Sequence, residues 1–157
     1  VQKEPFKVVV DYAHTPDSLE AVYKTLKPEA RESGRMICVL GSAGGGRDRW
    51  KRAAMGKVAA NYCDVIILTN EDPYDENPAE IVANIKSGMV SSSFAEGELL
   101  EILDRRGAIK KAIEMARPGD TIVSTGKGSE AFIHLRGGEQ VPWDERSVFE
   151  EELRLKK

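Results

Sequence analysis

The sequence predicts an α/β fold, a mostly parallel sheet with helices on both faces, in three layers. Three observations carry that expectation. Short apolar, β-branched runs recur at residues 6–10, 35–40, 64–69, 99–103 and 120–124, each too short for a helix and each reading as a buried strand. Between them, apolar residues repeat every three or four positions, as in helices that bury one face. The loops that follow the strands are rich in Gly, Asp and Glu, and the first carries a His. In open α/β sheets such loops lie at the carboxyl edge, where ligands bind. This alternation winds a parallel, Rossmann-like sheet with right-handed crossovers.

Residues 1–5, Val-Gln-Lys-Glu-Pro, read as a severed linker, because no initiator Met precedes them and the first strand begins almost at once. After that strand, Pro16 suits a first helical turn and Asp17 places negative charge at its positive end. Leu19, Val22, Tyr23 and Leu26 then recur at helical spacing, and Pro28 and Gly34 close the helix and its loop. The second strand runs into a Gly-rich loop and a helix over 50–61, with Met55, Val58 and Ala59 on its apolar side. The third strand is followed by an acidic loop, and Pro78 opens a helix bearing Ile81, Ile85 and Met89 on one face. Residues 91–97 are a Ser/Gly connection to the fourth strand. Asp104 caps a helix over Ile109, Ala112, Ile113 and Ala116, which Pro118-Gly119 ends. Beyond the fifth strand, residues 131–136 and 139–142 suit a hairpin around Gly137-Gly138, and Asp144 starts a terminal helix. No repeat, low-complexity tract or internal boundary interrupts the single domain expected over residues 6–157.

The 157 residues suffice for one buried core, and 41% hydrophobic with 31% charged residues is ordinary for a globular protein. A net charge of -3 gives no electrostatic reason to expect nucleic acid. No apolar run approaches the roughly twenty residues of a membrane span, and no signal-peptide pattern is present, so a cytoplasmic location is expected. Cys38 and Cys63 lie in apolar segments without CxxC or His partner spacing, which predicts buried free thiols and no metal site.

Four loops carry candidate chemistry. Asp11-Tyr12-Ala13-His14-Thr15-Pro16 forms the first strand-to-helix turn; a capped turn with a satisfied histidine would account for an isolated Asp-x-x-His. Gly41-Ser42-Ala43-Gly44-Gly45-Gly46 leads into Arg47, Asp48, Arg49, Lys51 and Arg52, the strand–loop–helix context of a phosphate cradle. It is neither a Walker A loop nor G-x-G-x-x-G, and a solvated basic face is its plain alternative. Glu71, Asp72, Asp75 and Glu76 crowd the third loop, which composition alone reads as a solvated acidic turn. Gly126-Lys127-Gly128-Ser129-Glu130 is the fourth.

Together these strings resemble the C-terminal domain of the Mur ligases. DYAHTPDSLE is similar to the family's DYAHTPDAL segment, and GSAGGGRDRWKRAAMG to its GCGGDRDxGKRPLMG. Aligned on Met55-Gly56, the second match places Arg47, Asp48, Lys51 and Arg52 on family positions; Gly46 replaces an Asp, Ala53 a Pro, and the loop is one residue longer. Glu71-Asp72-Pro73-Tyr74 falls on the family's Asp-Asn-Pro-Arg, and GKGSE on GKGHE. LDRRGAIKKAIEMARPGD and WDERSVFEEEL resemble two further family segments, so the likeness spans nearly the whole chain.

The resemblance implies a Rossmann-like domain of an ATP-dependent amide ligase, in the group that adds the third amino acid to UDP-N-acetylmuramoyl-dipeptide for peptidoglycan. In such ligases ATP phosphorylates the accepting carboxylate and an amino acid's amine attacks it; Mg2+ and the P-loop belong mainly to a central domain. It implies Asp11 and His14 on the ATP side and Lys51 near the reaction centre. Arg47, Glu71, Asp72, Pro73, Tyr74, Gly126 and Glu130 fall on the amino-acid side. Tyr74 in place of arginine points to lysine or ornithine over meso-diaminopimelate, and a monomer is expected. Two alternatives remain: a stand-alone nucleotide-binding module, or a domain of folylpolyglutamate or cyanophycin synthetase type. Thr15 where the latter have Asn, together with GKGSE, argues against the second.

Overall fold

The computed structural model describes residues 5–46, 49–89 and 98–156. Among them, β1 (Lys7–Asp11), β2 (Met36–Leu40), β3 (Val65–Leu68), β4 (Leu99–Glu101) and β5 (Thr121–Thr125) form one sheet. Its order is β1-β5-β2-β3-β4, with every neighbouring pair parallel. The chain reaches β2, β3 and β4 through α1 (Pro16–Ser33), α2 (Arg49–Tyr62) and α3 (Pro78–Ser87). α4 (Arg105–Met115) then carries it back to β5, which slots between β1 and β2. A short antiparallel ribbon of β6 (Phe132–His134) and β7 (Gln140–Pro142) precedes α5 (Glu145–Leu155).

Successive strand residues face opposite ways, so each strand feeds two cores. Met36, Cys38 and Leu40 pack with Leu19 and Tyr23 of α1, Met55 of α2 and Ile85 of α3. Ile37 and Val39 pack on the other face with Ile109 and Ile113 of α4 and Phe149 of α5. Every residue of β2, β3 and β5 is buried, whereas the edge strand β1 is only partly so. Central parallel strands demand unbroken apolar runs for this reason. The α/β sheet with helices on both faces is therefore as the sequence predicts.

Three details differ. α1 continues through Pro28 to Ser33 instead of closing there; proline withdraws one backbone donor, and the turns on either side carry the helix past it. β4 is only three residues long, although the Ile102 N–H still bonds the Leu68 carbonyl at the end of β3. Cys38 and Cys63 are not free thiols but a disulfide. β2 and the end of α2 bring their Cα atoms to 6.2 Å, within bridging reach, a proximity that no sequence spacing encodes. The expectations for residues 1–4, for Arg47 and Asp48, and for residues 91–97 lie outside the described residues. No helix among the described residues is long and apolar enough to cross a membrane.

Candidate functional site

All four loops emerge at the carboxyl edge of the sheet. At the first, Asp11 ends β1 and its Oδ1 accepts the Ala13 N–H at 2.8 Å, which folds the chain into a turn. Thr15 and Ser18 cap α1 reciprocally: Ser18 N–H donates to Thr15 Oγ1 at 3.2 Å and Thr15 N–H to Ser18 Oγ at 3.1 Å. His14 is left exposed, its ring tilted against that of Tyr12 at 4.7 Å.

The glycine loop lies directly on the third loop. Gly44 N–H donates to the Asp72 carbonyl at 2.6 Å, and a Cβ on Gly44 would overlap the Pro73 carbonyl. Glycine is thus required by close backbone approach. Behind it, the buried guanidinium of Arg52 donates to the Ala43 carbonyl at 3.1 Å, to Asn84 Oδ1 at 3.0 Å and to Glu76 Oε2. Arg49 binds the other oxygen of Glu76 at 2.6 Å. Burial opposes ionisation of Glu76, but the Arg52 and Arg49 guanidiniums outweigh it and hold the carboxyl below its ordinary value.

The third loop contributes two buried acids with opposite fates. Asp72 Oδ1 accepts Lys127 Nζ at 2.9 Å and the His134 N–H at 2.9 Å. Lys127 is wholly buried and also donates to Glu130 Oε2 at 3.1 Å and the Phe132 carbonyl at 2.6 Å. Asp72, Glu130 and His134 bring ligand atoms within 4.8 Å of one another, and the Lys127 ammonium already serves both carboxylates as their cation. Glu71, by contrast, is 5% exposed and its Oε1 has no partner. Burial pushes its carboxyl up to about 7; Arg105 and Lys127 pull the other way, while Asp72 and Glu130 add to the rise. Gly126, at φ +102, gives it room, for a Cβ there would overlap Glu71 Oε1.

Tyr74 is held in the left-handed region at φ 51, its N–H on the His134 carbonyl at 3.1 Å and its ring stacked on His134 at 5.2 Å and 4°. The β6–β7 ribbon therefore fixes the third loop from outside. It does so again at Asp75, whose Oδ1 accepts the Gly137 N–H at 2.8 Å.

These loops enclose a cavity of about 400 Å³ lined by His14, by Ser42–Gly45 and Lys51, and by Glu71, Tyr74 and Asp75. It unites His14, Lys51, Glu71 and Tyr74 of the expected site residues. Asp72, Pro73, Gly126 and Glu130 do not line it: Pro73 backs Gly44, Gly126 backs Glu71, and Asp72 and Glu130 are joined through Lys127. Asp11 is separated from His14: it lines a second groove of about 900 Å³, with Tyr12, Trp143 and Phe149, between β1 and α5. Arg47 lies outside the described residues.

Three residues of this edge escaped sequence reasoning: Lys127, Arg105 and Glu145. Lys127 sits in a Gly-Lys-Gly turn after a strand, a pattern too common to mark it. Arg105 did leave a signal, because positions 105, 109 and 112 share one helical face with the buried Ile109 and Ala112.

An open parallel sheet with a carboxyl-edge cleft, a glycine loop and a buried acid with an unpartnered oxygen places the chain among the α/β domains, the class whose open sheets bind ligands at that edge. Within that class the chain belongs to the Mur ligase family: the family profile described as "Mur ligase, glutamate ligase domain" matches residues 1–128. The chain is 43% identical over 153 residues to the UDP-N-acetylmuramoyl-L-alanyl-D-glutamate--2,6-diaminopimelate ligase of Aquifex aeolicus, covering 98% of this chain and 30% of that protein. It is 45% identical over 143 residues to the UDP-N-acetylmuramyl-tripeptide synthetase of Roseiflexus, covering 90% and 27%. A solved structure of a UDP-N-acetylmuramoyl-L-alanyl-D-glutamate--2,6-diaminopimelate ligase superposes with a TM-score of 0.88 at 36% identity, over 99% of this chain and 31% of that one. The chain thus spans less than a third of the length of the curated relatives it matches.

Proposed function

We propose that this chain is the C-terminal, amino-acid-binding domain of an ATP-dependent amide ligase that adds the third amino acid to UDP-N-acetylmuramoyl-dipeptide in peptidoglycan precursor synthesis. The observation that carries the reading is the unpartnered Oε1 of Glu71, buried at the wall of a cleft that Lys51 and the glycine loop also line. An incoming amino acid brings an ammonium and a carboxylate. Glu71 answers the first, and the cations that follow the glycine loop, Arg47 and Lys51, answer the second. Asp72 and Glu130, bridged by the Lys127 ammonium, tie the third loop to the fourth.

His14 at the rim and Asp11 around the Tyr12 corner would face the nucleotide. Asp11 uses one oxygen on Ala13, and the second can take ribose hydroxyls, so the residues present fit that end of ATP. ATP supplies the activation of the accepting carboxylate, with Mg2+ held mainly by the central domain of such ligases. The part this domain plays is to orient the amine and keep water out.

The amino acid we infer is a diamine, lysine or ornithine. Tyr74 falls on the arginine of the family string that this loop resembles, and its uncharged ring is taken up by His134. Arg49 and Arg52, which could otherwise supply a cation, both bind Glu76. A second buried carboxylate would lack a partner, at a cost of several kcal/mol on the order expected for an unpaired buried charge. A second reading, meso-diaminopimelate, is favoured by the names of the relatives and by Arg136. Its Nη2 donates to the Asp75 carbonyl at 3.3 Å, beside the cleft. Comparing kcat/KM for lysine, ornithine and meso-diaminopimelate in the ligase that carries this chain tests the choice. Preference for a diamine, shifted towards diaminopimelate by Tyr74→Arg, is expected. Preference for diaminopimelate that Arg136→Ala abolishes establishes the second reading instead.

A further inference from the structure

We propose that Arg105 is the positioning residue of this cleft, with Glu145 as its anchor: one buried guanidinium sets the spacing between the loops that carry Glu71 and Gly126. Arg105 opens α4 and is 2% exposed; Glu145 opens α5 and is 1% exposed. A buried cation in the first turn of a helix opposes the helix dipole, so its placement must be compensated. Glu145 does so through Arg105 Nε at 3.0 Å and Nη2 at 2.8 Å, and is itself held by Ser124 Oγ at 2.6 Å and Trp143 Nε1 at 2.6 Å.

The remaining donors reach two backbone carbonyls. Nη1 donates to Asn70 at 2.8 Å and Nη2 to Thr125 at 2.9 Å. Asn70 immediately precedes Glu71, and Thr125 immediately precedes Gly126. Those are the two residues whose separation decides whether the Glu71 carboxylate fits, since even a Cβ on Gly126 would displace it. A rigid guanidinium spans both carbonyls and the anchor at once; a lysine ammonium has no such fork. The groups facing Glu71 are Asp72 on its own loop, Tyr12 from the loop after β1, Arg105 from α4, and Lys127 and Glu130 beyond β5.

The proposal rests on Glu71 belonging to the amino-acid site, and the test keeps the two claims apart. Two variants are compared with the wild type. Arg105→Met/Glu145→Leu removes the buried pair together and keeps apolar volume, a change that folds tolerate; Arg105→Lys keeps the charge and loses the fork. Carbon-13 NMR titration of the Glu71 carboxyl in this chain needs no catalysis. The double variant should raise its midpoint by about one pH unit, and Arg105→Lys should leave it nearly unchanged. In the ligase carrying the chain, both variants should raise the amino-acid KM about tenfold or more without changing the KM for ATP. Folded variants with wild-type amino-acid KM overturn the proposal, and if the double variant does not fold, Arg105→Lys decides alone. Amino-acid KM unmoved by Glu71→Gln would instead overturn the functional reading, leaving the titration to test Arg105.

Discussion

A carboxyl that is 5% exposed with one unpartnered oxygen ionises reluctantly, and Glu71 shows the consequence in a value of about 7 against 4.5 for an ordinary glutamate. The unfolded chain therefore releases this proton first. Below the unfolded value the group does not penalise the fold; as pH rises towards 7 stability is lost, by about 3 kcal/mol in all. Glu71→Gln removes the buried charge, so its melting temperature should exceed that of the wild type at pH 8 and converge with it near pH 4.5. Thermal melts at the two pH values check this, and equal melting temperatures at both would contradict it. Nothing in the string Glu71-Asp72 distinguishes the two acids; their difference arises because Lys127, distant in sequence, reaches only one of them. The candidate residues were legible from their motifs, but their ionic pairing was not, since pairing depends on which loops the sheet brings together.

At the scale of elements, α2 and α3 cross with their backbones in contact. A Cβ on Gly56 would overlap the Ile85 carbonyl, and one on Gly88 the Ala53 carbonyl. Gly56→Ala should therefore cost about 1–3 kcal/mol through overpacking, measurable by urea unfolding. The disulfide ties β2 to the end of α2 across 25 residues of sequence, and its reduction should lower stability by about 3 kcal/mol by freeing that loop in the unfolded chain. Melts with and without reductant, with Cys38→Ala/Cys63→Ala as control, check that figure. Strands were readable because five or six apolar residues bounded by turn formers leave little choice. The continuation of α1 past Pro28 was not, because a proline removes only one backbone donor and does not always end a helix.

The molecule as a whole owes its cleft to strand order. Because β5 slots between β1 and β2, the loops after β1, β5, β2 and β3 stand side by side at one edge. Sequence alternation announces a parallel sheet but not which strand is inserted, so the separation of Asp11 from His14 by the Tyr12 corner could not be foreseen. None of these loops is a Walker A cradle, and the purified chain should release no phosphate from ATP above background. A phosphate-release assay on the chain checks this. In the proposed function this cleft receives the incoming amino acid. Steady-state kinetics of Glu71→Gln in the ligase carrying this chain test it most directly. The KM for the amino acid should rise about tenfold or more, as for loss of a charged partner, with the KM for ATP unchanged. A rise in the KM for ATP with the amino-acid KM unmoved would contradict it.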